Sequence, residues 1–115
     1  MKRFDPLTAA REAISNRPDR PATAIVHDSP DVRLIVFKLA PGQSVAPHRS
    51  TSSVQLTVLA GTGVVTGEGE SGPVDQPCST GDVVVYLPNE LHGMRTAGGE
   101  LLLLATITPR PGGAH

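Results

Sequence analysis

Apolar residues fall in short runs along most of the chain, and clusters of turn residues separate the runs. The start is spaced differently. Leu7, Ala10 and Ile14 recur at i, i+3 and i+7, one face of a short helix, with Asp5 as N-cap and Pro6 at the first helical position. Pro18 and Pro21 close that segment. Beyond it the pattern predicts strands over Ala24–His27, Val32–Leu39, Ser44–His48, Val54–Leu59 and Val64–Thr66. Further strands are predicted from Val74, over Val83–Leu87, over Leu91–Thr96 and over Glu100–Ile107. Asp28-Ser29-Pro30-Asp31, Pro41-Gly42, Ala60-Gly61-Thr62-Gly63, Gly67–Gly72, Ser79–Asp82, Pro88-Asn89 and Gly98-Gly99 read as the intervening turns. About nine short strands predict two packed antiparallel sheets in a barrel-like sandwich. The expected organisation is an N-terminal helical segment over residues 1–20, one barrel over 21–109 and a loose tail over 110–115.

Composition sharpens this. A chain of 115 residues fits one domain with its own core. Gly (12) and Pro (11) punctuate it throughout, Val (12) and Thr (10) suit a pleated sheet, and scarce Lys (2) and Glu (5) disfavour long surface helices. The formal charge of -1 gives no electrostatic footprint for nucleic acid or an acidic membrane surface. The sequence shows no apolar run long enough for a membrane span and no apolar stretch behind Lys2-Arg3 that would make a signal peptide. Cys78 stands alone, which excludes an internal disulfide and a Cys-cluster zinc site and fits a reducing, cytoplasmic setting. Eight of the ten basic residues are arginine, the usage of a GC-rich bacterial genome.

Three blocks carry the candidate chemistry: Pro41-Gly42-Gln43-Ser44-Val45-Ala46-Pro47-His48, Val58-Leu59-Ala60-Gly61-Thr62-Gly63, and Gly81-Asp82 through Leu87-Pro88-Asn89-Glu90-Leu91-His92. In this order they resemble the two motifs of the cupin superfamily, G-x5-H-x-H-x3-4-E-x6-G and G-x5-P-x-G-x2-H-x3-N. The resemblance spans Ile35 to Ile107 and is to small, single-domain, RmlC-like cupins. It implies an all-β double-stranded β-helix, the cupin jelly-roll barrel, here with a short N-terminal helix. In the second motif the turn glycine falls on Asn89, the next best residue for a left-handed conformation, and the proline falls on Leu87 with Pro88 one place later.

Metal-binding cupins hold iron, manganese, nickel, copper or zinc with two histidines and a glutamate of the first motif and the histidine of the second. Here the resemblance puts His48 and His92 in two of those places, Ser50 in the second histidine's place and Val54 in the glutamate's. The closing asparagine of the second motif is Thr96. A shift of one residue would offer Gln55, a weak neutral donor, instead of Val54. Strand alternation sets Val54, Leu56 and Val58 on one face and Gln55, Thr57 and Leu59 on the other. If Gln55 and Thr57 face inward the pocket is polar; if outward, apolar.

The expected site is therefore a pocket for a small organic molecule around His48 and His92, with Gln55, Thr57, Ser50 and Met94 as further lining residues. The favoured function is a binding or sensing module whose metal site has decayed. The alternative is a metal-dependent enzyme of dioxygenase or isomerase type, in which a divalent transition metal sits on His48 and His92, with Gln55 as a third donor. Arg49, Arg95 and Glu90 are close enough in sequence to rim the pocket, and Ser50-Thr51-Ser52-Ser53 reads as a polar loop at its mouth. Leu101-Leu102-Leu103-Leu104 is apolar on both strand faces, so both should be covered, by the opposite sheet and by the N-terminal segment or a partner. A homodimer is expected.

Overall fold

The computed structural model of the chain describes residues 1–110. The expected tail lies, beyond Arg110, outside the described residues. One helix, α1 (Pro6–Glu12), precedes seven strands: β1 (Ala22–Asp28), β2 (Arg33–Leu39), β3 (Ser44–His48), β4 (Ser53–Gly69), β5 (Gly72–Ser79), β6 (Val83–Tyr86) and β7 (His92–Thr108). The Asp5 carboxylate accepts from the Thr8 backbone N–H at 3.2 Å and caps the helix as expected. The helix ends at Glu12, before the prolines, so Ile14 is not on its apolar face and stands 84% exposed.

Seven strands replace nine because two of them each run through two layers. The first half of β4 (Val54–Thr57) pairs with β6, and Ser53–Val58 pairs with the second half of β7. Its second half (Thr62–Gly69) pairs with β5, and Gly63–Thr66 pairs with Gly93–Thr96 of β7. One layer is thus β1-β2-β7-β4-β6 and the other β3-β7-β4-β5. Among the described residues the hydrogen bonding does not close into a ring, since β1 and β5 end the main path.

Gly61-Thr62-Gly63, expected as a hairpin, is instead the bend where β4 changes layer. Register shifts fall between Val58 and Ala60 and between Gly61 and Gly63. Gly61 has φ +101°, and a Cβ there would lie 2.2 Å from the Glu100 carbonyl oxygen. Opposite Thr62, the four residues Ala97–Glu100 bulge out of β7, so Gly98-Gly99 marks a bulge within one strand rather than a turn between two.

The main core fills the space between the layers, with Val54, Leu56, Val58, Leu101, Leu103 and Ala105 from one layer and Val65, Cys78 and Met94 from the other. The expectation for Leu101–Leu104 holds at the level of packing. Leu101 and Leu103 point into the main core, while Leu102 lies on the outer face beneath α1, against Ala10 and Val36. Lys38 of β2 donates to the Arg11 carbonyl at 2.9 Å and ties the end of α1 to the sheet.

Candidate functional site

His48 closes β3 and His92 opens β7, and the two are directly opposite in the β3–β7 register. Cross-strand pairing therefore brings together two residues 44 positions apart. Their ring centroids lie 4.2 Å apart, edge to face. Gly93 permits the approach: a Cβ there would sit 3.0 Å from the backbone of Pro47, pushing β3 off β7.

Each imidazole is oriented by a backbone carbonyl two residues earlier. His48 Nδ1 lies 3.0 Å from the Ala46 oxygen and His92 Nδ1 3.2 Å from the Glu90 oxygen. A carbonyl only accepts, so each Nδ1 carries a hydrogen, and a ring in its neutral form keeps its lone pair at Nε2. His48 is exposed and His92 buried. Burial pushes the His92 imidazole below its ordinary value; its carbonyl partner opposes this and the neighbouring His48 adds to it. Tyr86 packs 5.2 Å from His92 and donates to the Thr66 carbonyl at 2.8 Å, and burial raises its phenol to about 12.

Both histidines lie on the wall of a cavity of about 420 Å³. Val54, Leu56, Met94 and Ala105, all buried, form its inner wall together with Phe37, Val45 and Ile107. His48, Arg49 and Thr51 are its exposed polar lining, with Ser50 beside them half-buried. Among the described residues no aspartate or glutamate lines it.

Of the six residues expected in the pocket, His48, His92, Ser50 and Met94 are on this wall. Gln55 and Thr57 are not. Val54, Leu56 and Val58 occupy the inward face of β4, which sends Gln55 and Thr57 to the outer face. The cavity is accordingly apolar within, and Gln55 cannot join the histidines as a donor. Arg95 is also elsewhere, paired with Asp75 at 2.9 Å, and Glu90 contributes through its carbonyl while its carboxylate accepts from the Leu87 N–H at 2.9 Å. Phe37, Val45 and Ile107 were missed. Their signal is strand alternation, with Phe37 two residues from both Ile35 and Leu39 on the inner face of β2.

As a metal centre the donor set falls short. Among the described residues no three His, Cys, Asp or Glu side chains converge. Two imidazoles are one fewer than the three protein ligands of an open catalytic zinc site. Ser50 and Val54, in the places of the missing ligands, offer a hydroxyl and a methyl-bearing core side chain. No helix of the described residues is long and apolar enough to cross a membrane.

A family model described as "Cupin domain" matches residues 35–108. Among solved structures, an RmlC-like cupin protein from Desulfovibrio desulfuricans is 27% identical, with a TM-score of 0.76, over 95% of this chain and 97% of that one. A double-stranded β-helix protein from Klebsiella pneumoniae is 18% identical, with a TM-score of 0.79, over 95% of this chain and 91% of that one. The DMSP lyase DddQ from Ruegeria pomeroyi is 18% identical, with a TM-score of 0.73, over 91% of this chain and 56% of that one; at that identity the likeness is one of fold. No curated protein matches the chain.

Proposed function

The chain belongs to the cupin domain family, and from that premise we propose that it is a small-molecule-binding cupin whose cavity works without a resident metal. The observation that carries this reading is the pair of imidazoles at 4.2 Å on the wall of an apolar cavity of about 420 Å³. A volume in that range suits a small organic ligand. The ligand's apolar body is buried against Leu56 and Met94, and a hydrogen-bond donor on it meets the Nε2 lone pairs of His48 and His92. With no carboxylate and no third imidazole on this wall among the described residues, the imidazoles act as acceptors.

A metal-dependent enzyme of dioxygenase or isomerase type is the second reading. It draws on the backbone carbonyls behind both Nδ1 atoms, since fixing Nδ1 as the donor prepares Nε2 to ligate. In that case waters or substrate would have to complete a coordination shell of iron, manganese, nickel, copper or zinc.

Thermal unfolding with added benzamide or added chelator separates the two. Benzamide, a neutral ring with an amide donor, should raise the melting temperature, while chelator leaves it unchanged. A drop of many degrees on chelation, absent in His92→Ala, would replace the first reading by the second.

The proposal extends to setting and assembly. The single, buried Cys78 thiol supports a cytoplasmic location. A homodimer is supported by β6, an edge strand that among the described residues pairs only with β4; its Val83 and Val85, and Leu87 just beyond its end, are all exposed.

A further inference from the structure

Among the described residues, Arg49 is the one on the cavity wall that carries a full charge at all working pH values. Its Nη1 is already engaged. It donates to the Glu68 carboxylate and, at 2.8 Å, to the Asn89 carbonyl oxygen. Glu68 is held in turn by the Leu91 N–H at 2.8 Å. These contacts fix the guanidinium by one nitrogen. A guanidinium has five N–H donors, and those on Nε and Nη2 meet no partner among the described residues. Glu68 does not line this cavity; it lines a neighbouring hollow with Tyr86 and Glu90. Its carboxylate is therefore not part of this cavity's wall.

We infer that the cavity takes a monocarboxylate whose compact, ring-sized apolar body also bears a hydrogen-bond donor, its carboxylate on the free Nε–Nη2 edge of Arg49, its body against the inner wall and its donor on the histidine Nε2 atoms. This rests on the reading of the cavity as a ligand site and names the class of ligand. Three features point the same way. A planar guanidinium edge matches a carboxylate with two parallel hydrogen bonds. The half-buried Ser50 and exposed Thr51 add hydroxyl groups at the same rim. The inner wall, with Phe37, Leu56 and Met94, offers aromatic, aliphatic and thioether contacts for a ring. A cationic ligand would find no carboxylate on this wall to pair with.

Calorimetric titration at low ionic strength, where an exposed charge contact is least screened, tests the inference with benzoate, its neutral isostere benzamide and the cation benzylamine. Benzoate should bind at least tenfold more tightly than benzamide, and benzylamine more weakly than either. Arg49→Gln should abolish the advantage of benzoate over benzamide, while Arg49→Lys keeps part of it. The Arg49–Glu68 pair is exposed, so both variants should keep the fold. Equal binding of benzoate and benzamide by the wild-type chain, or a benzoate advantage that survives in Arg49→Gln, overturns the carboxylate assignment and leaves the ligand cavity standing. Failure of all three to bind removes the cavity reading and this inference with it.

Discussion

A buried, neutral imidazole at position 92 ties stability to pH. Its folded value is depressed below the ordinary 6.5, so the unfolded chain takes up a proton first as pH falls. The contribution is complete above the unfolded value and is lost as pH drops through the lower folded one. Melting temperature recorded from pH 8 to pH 5 should decline on the acid side, and His92→Gln should flatten that decline. Asn89 gives a second test. It holds φ 66°, the left-handed conformation expected of it. Asn89→Ala should cost about 1–2 kcal/mol in urea unfolding and Asn89→Gly much less. The histidine pair was legible because motif spacing fixes which strand ends carry it. The inward face of residues 54–59 was not. Leu59 is apolar yet packs outward toward α1, so both faces of that strand carry apolar residues and alternation alone does not choose between them.

Strands were legible where one face is buried and lost where a strand passes from one layer to the other. Gly61 and Gly63 carry the chemistry of a turn, yet the chain uses their freedom to bend β4 without ending it. Gly61→Ala is predicted to be severe, because it sets a Cβ against the Glu100 carbonyl at a positive φ. The backbone strain alone is on the order of 1–3 kcal/mol. Denaturant unfolding should show that loss, whereas Gly42→Ala, also at positive φ but with open space around it, should show only the conformational part. β5 was reduced to a start near Val74 because Pro73 and Pro77 disguise it. An edge strand tolerates both, and β5 pairs only with β4.

Over the whole molecule, α1 acts as the cover of a sheet that is apolar on both sides. Leu102 and Val36 are buried on the outer face through contact with Ala10. Ala10→Arg should lift the helix from the sheet, lower the melting temperature and expose that face to a hydrophobic dye. With Leu102 covered from within the chain, β6 is the apolar edge proposed for a second copy; light scattering should show a dimer for the wild-type chain and a monomer for Val85→Lys. The two-layer fold was legible in the strand spacing, but its open hydrogen-bond path depends on which distant strands pair, and local pattern does not encode that. The proposed ligand site between the layers rests on two imidazoles whose Nε2 atoms meet no partner among the described residues. The most direct test is the imidazole ¹⁵N spectrum of the purified protein, recorded as isolated, after chelation and after saturation with benzamide. Both rings should show the Nδ1–H tautomer, remain unchanged by chelator, and shift at Nε2 with benzamide. Nε2 signals of a metal-bound imidazole that change on chelation, or signals that ignore benzamide, would contradict the account.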